Sequence, residues 1–143
     1  MDEDETARLR RAIARLARAL NAAAAGEGLT PAQASVLGLV TARGPLTVRR
    51  LIELEGLNPS VASRVLGKLD EAGLVRRSPG TDDQRTVRVA ATAAGRRMHQ
   101  RIKTQRNALV SASIVRLPTE QAADLAHALP ALEALADHLS AQT

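Results

Sequence analysis

At 143 residues and a formal net charge of +5, the chain is long enough for one core of modest size and too short for a second independent one. It has no Cys, which excludes disulfides, thiolate zinc sites and thiol redox chemistry. It also has no Phe, Tyr or Trp, so the stacking platforms of single-strand and RNA binders are missing and the core must be aliphatic. No tract approaches the roughly 18 apolar residues of a membrane span, and no basic-then-apolar leader opens the chain, so a soluble cytoplasmic protein with no membrane partner is expected.

Leu9, Ile13, Leu16 and Leu20 recur on one helical face, and the acidic run Asp2 to Glu5 before them suits the positive end of a helix dipole. The Ala- and Gly-rich stretch that follows ends this first helix. Thr30, Pro31, Ala32 and Gln33 form a capping box with proline at the first helical position. Val36, Leu37 and Val40 supply the buried face of that second helix, and Gly44-Pro45 closes it near residue 42. Thr47 caps a third helix over residues 48–55, with Val48, Leu51 and Ile52 facing inward and Gly56 in the left-handed position that ends it. Asn58 caps a fourth helix with Pro59 in its first turn. Only Gly56, Leu57 and Asn58 separate the pair, which is the spacing of a helix-turn-helix.

The fourth helix divides by face. Val61, Val65 and Leu69, with Leu66 and Ala72 beside them, follow the 3.6-residue period and anchor it to the core. Ser60, Ser63, Arg64, Gly67, Lys68 and Glu71 recur on the other side. A helix entering a DNA major groove needs such a face: small hydroxyls that allow close approach, a guanidinium able to bond guanine O6 and N7, and a lysine near phosphate. An ordinary amphipathic surface helix is the competing explanation.

Gly73 ends that helix, and two short segments rich in Val and Arg then flank a turn that contains Pro79, Gly80, Asp82 and Asp83. They predict a two-stranded hairpin, a wing, with Val87 and Val89 inward and Arg88 outward. Asp82 or Asp83 can brace Arg85 at the tip, from which an arginine reaches a minor groove. The charge distribution agrees, since residues 43–106 hold 14 Lys and Arg against 6 Asp and Glu, a local balance of +8 that suits a polyanion.

From Thr30 to Gly95 the chain resembles the multiple antibiotic resistance regulator (MarR) family of winged helix-turn-helix repressors. The resemblance is carried by Leu29 to Gln33, by the run NPSVASRVLGKLDEAGLVRR, by Asp83-Gln84-Arg85 in the wing, and by a T-x-x-G leading into the next helix at Thr92 to Gly95. It implies that Ser60, Ser63, Arg64 and Lys68 face the major groove, that Arg85, braced by Asp83, reaches the minor groove with Arg88 also on the wing, and that Thr47 contacts phosphate. Two departures stand out. Ala91 replaces the usual Leu before the threonine, which implies a looser wing base, and the lack of aromatics leaves nothing to stack on an aromatic effector.

The rest of the chain predicts helix from Gly95 to about Val115, then a Leu-rich helix that Pro130 should kink or break. Its apolar surface exceeds what so small a core can cover, so the first and last helices are expected to pair with a symmetry mate. His99, His127 and His138 share no ligand spacing, and neither a phosphate-cradling loop nor a nucleophile motif occurs, so no metal, cofactor or enzymatic activity is expected. The expected fold is mainly α with a small β-hairpin wing. It comprises one domain, residues 1–143, with a DNA-binding lobe at 30–95 and dimerisation helices at 1–28 and 96–143. The expected function is a homodimeric regulator of transcription that binds double-stranded palindromic DNA as a repressor and answers to a small-molecule inducer. The alternative is a winged-helix module that docks on another protein.

Overall fold

The computed structural model describes residues 1–80 and 86–142. Six helices and three short strands follow in the order α1 (Glu3–Gly26), α2 (Pro31–Arg43), β1 (Leu46–Thr47), α3 (Val48–Glu55), α4 (Pro59–Glu71), β2 (Val75–Pro79), β3 (Val87–Ala91), α5 (Ala93–Val115) and α6 (Thr119–Ala141). The fold is thus mainly α with a small sheet, as expected. The chain divides into two compact units, Met1–Arg106 and Asn107–Thr143.

Each early helix starts where its capping residue stands. At α1 the Glu5 N–H donates to Asp2 Oδ1 at 2.8 Å and the Asp2 N–H to Glu5 Oε2 at 2.9 Å, so the acidic run serves the helix terminus. Thr30 and Gln33 form the same reciprocal pair at α2. The Arg50 N–H donates to Thr47 Oγ1 at 3.1 Å, and α3 ends at Gly56 with φ of 62°, a backbone conformation that costs any residue with a Cβ. Asn58 Oδ1 accepts from the Val61 N–H at 2.9 Å and opens α4.

In the first unit, Leu37, Leu51, Leu66, Leu69, Val36, Val40, Val75 and Val89 are fully buried. Ala24 of α1 and Ile102 of α5 join the same cluster. Small aliphatic side chains reach native density only when backbones come close, and α5 shows this. A Cβ on Gly95 would collide with the Leu74 carbonyl oxygen. Thr92 ties the same joint together, donating through Oγ1 to the Gly73 carbonyl at 2.6 Å and accepting the Gly95 N–H at 3.0 Å. The T-x-x-G motif is therefore a weld between the end of α4 and the start of α5, and it lets α5 begin at Ala93, slightly before the expected Gly95.

The wing differs from expectation in two ways. It is part of a three-stranded antiparallel sheet of order β1-β3-β2, the extra strand being Leu46–Thr47, two residues too short for any periodicity to announce. Val89 lies opposite Leu46 and Arg77, and Arg88 opposite Thr47 and Ser78. Val89 is buried as expected, but Val87 is 39% exposed rather than inward. Strand β1 pairs with β3 only at Arg88 and Val89, so at Val87 the sheet has narrowed to two strands.

The second unit holds the last turns of α5 and the whole of α6. Helix α6 runs from Thr119 to Ala141 with Pro130 inside it, so the break allowed for at that proline does not occur. Ala126, whose carbonyl loses its donor, and Pro130 are both exposed, and water can satisfy the freed oxygen. No residue of α6 is buried.

Candidate nucleic-acid interface

Helix α4 presents two chemically distinct sides. Ala62, Val65, Leu66 and Leu69 are buried, with Val61 packed partly against the same core. Ala72, expected beside them, is instead exposed because the helix has already ended at Glu71. Ser60, Ser63, Arg64 and Lys68 are all exposed, so the four residues singled out in the sequence share the open side. The Ser60 hydroxyl donates to Asn58 Oδ1 at 3.1 Å, and Lys68 Nζ lies 3.6 Å from Glu71. Arg64 makes no hydrogen bond or ion pair among the described residues, so its five donors face solvent.

The wing is fixed to α4 by a contact that sequence reasoning missed. Arg77 of β2 donates through Nε and Nη2 to Asp70 Oδ2 at 3.2 and 3.0 Å. No periodic rule links positions seven apart on a helix and a strand, so only the folded chain reveals this pair. Asp83 and Arg85, the expected bracing pair at the wing tip, and Asp82 lie outside the described residues. The Gly80 N–H donates to the Thr86 carbonyl. Arg88 lies on the sheet face opposite Val89, yet it is half-buried rather than freely held out. Thr47 is partly buried at the N-terminus of α3, where Arg49 and Arg50 are exposed. Ala91 lines a cavity of 370 Å³ at the wing base together with Arg76, Ala90, Thr92, Ala93 and Arg96.

Helix α5 brings basic side chains against α1 and its C-terminal cap. Arg106 Nε donates to the Leu20 carbonyl at 3.1 Å, and Arg101 approaches Glu27 at 3.6 Å. The His99 ring lies against Gly38 of α2, where an added Cβ would stand 3.2 Å from His99 Cε1. Burial, and secondarily the charges of Lys103 and Arg106, hold its pKa below the ordinary 6.5. Among the described residues no group of three or more His, Cys, Asp or Glu could hold a metal ion, and no helix is long and apolar enough to cross a membrane.

A model of the MarR family matches residues 27–86, a span that contains α2, α3, α4 and β2. Over this span the chain is similar to the MarR family, the family its sequence resembles. Over 101 residues it is 27% identical to the HTH-type transcriptional repressor MdtR of Bacillus subtilis (strain 168), covering 71% of this chain and 65% of that one. The chain spans a little under two thirds of the length of the curated relatives it matches. These relatives carry names of transcriptional regulators and not of enzymes. Among solved structures, the MarR-family protein RV2887 of Mycobacterium tuberculosis is similar at 25% identity and a TM-score of 0.76, covering 93% of this chain and 96% of that one. RV2887 has also been solved in complex with p-aminosalicylic acid. A variant of MepR from Staphylococcus aureus, bound to an oligodeoxyribonucleotide, shares the MarR-type fold at a TM-score of 0.70 and 15% identity, covering 91% and 96% of the two chains.

Proposed function

We propose that this protein is a member of the MarR family and a cytoplasmic, sequence-specific regulator of transcription that binds double-stranded DNA as a homodimer. The carrying observation is the joint exposure of Ser60, Ser63, Arg64 and Lys68 on a helix whose other side is locked into the core. In this reading residues 30–95 form the DNA-binding lobe. Helix α4 enters the major groove, where Arg64 bonds a guanine, the two serines allow close approach and Lys68 meets phosphate. Thr47 meets phosphate at the start of α3, and the wing, through Arg85 braced by Asp83 and through Arg88, engages the neighbouring backbone and minor groove.

Residues 1–28 and 96–143 serve as dimerisation helices. Ile13 and Leu16 on α1, Leu109, Val110 and Ile114 on α5, and Leu125, Leu129, Leu132 and Leu139 on α6 are exposed in the single chain, and a second copy covers them. Two recognition helices one DNA turn apart, about 34 Å, then require a palindromic operator. The protein acts as a repressor released by a small molecule; since no aromatic side chain can stack on it, aliphatic and arginine contacts hold that inducer. The MdtR name and the complexes of MepR with DNA and of RV2887 with p-aminosalicylic acid support this reading.

The test is fluorescence anisotropy with the duplex upstream of the protein's own coding region, at low and physiological salt. Binding is expected to weaken steeply with salt. Arg64→Ala is expected to cost about 1–3 kcal/mol and to relax preference at one base position of each half-site. Salt-insensitive binding, or unchanged sequence choice in Arg64→Ala, overturns the proposal.

A further inference from the structure

The cavity at the wing base joins three elements of the first unit and carries charge of one sign. Arg76 comes from β2, Ala90 and Ala91 from β3, and Ala93 and Arg96 from the first turn of α5, with Thr92 at the join. Its 370 Å³ stands near the lower end of the range for small-molecule sites, about 300–1,000 Å³. The side chains between the two arginines are small. Ala90, Ala91 and Ala93 each offer the cavity one methyl group, and a longer aliphatic residue at any of the three would take up part of the space.

The two guanidiniums are held differently. Arg96 Nη1 donates to the Ala91 carbonyl at 2.9 Å, which ties that head group to the cavity wall and leaves its other donors available. Arg76 makes no side-chain hydrogen bond or ion pair among the described residues. It projects to the same side of the sheet as Ala90, its cross-strand partner. Arg96 likewise has no ion pair among the described residues, and no carboxylate lines the cavity. Two cations on one small cavity, with no counter-charge beside them, favour an anion there. The paired N–H groups of a guanidinium match a planar carboxylate. The alanine walls narrow the class further, because methyl groups gain nothing from a bare hydrated ion but are covered by an apolar tail.

We propose that the cavity between Arg76 and Arg96 binds a small aliphatic carboxylate, its head group on the two guanidiniums and its tail along Ala90, Ala91 and Ala93. That this ligand is the inducer rests on the DNA-binding reading above. An anion in the cavity subtracts positive charge from the lobe assigned to a polyanion and bridges a wing strand to α5, so its arrival weakens DNA binding.

The probe is hexanoate, with hexanamide as its neutral counterpart, titrated by calorimetry into the DNA-free protein at constant ionic strength. Wild type is expected to bind hexanoate with a Kd of about 1 mM or tighter, and hexanamide at least about tenfold more weakly. Arg76→Gln and Arg96→Gln are each expected to weaken hexanoate about tenfold. Arg97 is exposed and does not line the cavity, so Arg97→Gln removes the same charge one residue away and should change the Kd by less than about twofold. Ala90→Leu fills the space without removing a charge; it is expected to melt at the same temperature as wild type or higher and to bind no hexanoate. Saturating hexanoate should lower the operator affinity of wild type about fivefold and leave that of Ala90→Leu unchanged.

Equal binding of hexanoate and hexanamide, or hexanoate binding that survives in Ala90→Leu, overturns the site. Inorganic phosphate that binds as tightly as hexanoate and competes with it rejects the aliphatic class. Wild type that binds no hexanoate, with DNA binding weakened in both Arg76→Gln and Arg96→Gln, assigns the arginines to the DNA backbone and overturns the proposal. Wild type that binds no duplex at low salt defeats the DNA-binding reading and the inducer role with it, while the calorimetry still decides the carboxylate site. Hexanoate bound with operator affinity unchanged defeats the inducer role alone.

Discussion

Helices α4 and α6 are written with the same repeat of aliphatic residues, yet they end in opposite environments. Along α4, Ala62, Val65, Leu66 and Leu69 are all buried, while along α6 no side chain is buried and Leu129 is 53% exposed. The difference lies in what the fold sets against each helix. Helix α4 has α2, α3 and the sheet packed around it, whereas no residue of α6 is buried. An amphipathic pattern thus specifies a helix with a face to hide, but not the partner that hides it. In the proposed function the covered face of α4 frees the polar one to meet DNA, and the apolar face of α6 is the surface offered to a second copy.

That contrast can be broken or sharpened by substitution. Leu66 is 1% exposed, so Leu66→Ala is expected to cost about 2–5 kcal/mol in urea unfolding, the largest effect of the set. A cost below about 1 kcal/mol would show that α4 is less tightly held than its burial implies. Gly95→Ala forces a methyl group against the Leu74 carbonyl at the weld between α4 and α5, and should cost about 1–3 kcal/mol in the same measurement. Leu129→Glu makes the opposite case. At protein concentrations too low for association it should change unfolding by no more than about 0.5 kcal/mol, while sedimentation at micromolar concentration shifts from dimer to monomer. A large loss in the isolated chain would place Leu129 in a core of its own chain.

The smallest effect belongs to His99. Its pKa is lowered on folding, so the unfolded chain binds the proton more readily. Stability contributed by the neutral ring is fully present above the unfolded value of 6.5 and declines as pH falls from there toward the lowered folded value. His99→Gln should flatten that decline in urea midpoints taken between about pH 5 and 8. An unchanged pH profile would remove His99 as its source.

Much of the candidate recognition surface was legible because local rules fix it. The caps at Thr30, Thr47 and Asn58 each start a helix where expected, and Gly56 ends α3 with a positive φ. The period along α4 placed Ser60, Ser63, Arg64 and Lys68 together on the exposed side. Contacts between distant segments were not legible. The Arg77–Asp70 pair, the two-residue strand β1 and the exposure of Val87 all depend on which strand lies beside which.

The amino-acid order alone therefore determined where helices begin, which sides they hide, an aliphatic core and a basic middle section. These follow from backbone capping, side-chain periodicity and charge, which act over a few residues. Only the tertiary structure decided that Arg88 lies half-buried with an Nε that has no hydrogen-bond partner among the described residues, that Gly95 must lack a side chain to clear Leu74, and that no residue of α6 is buried. Such facts depend on strand register and close backbone approach, distances that no spacing along one segment can encode.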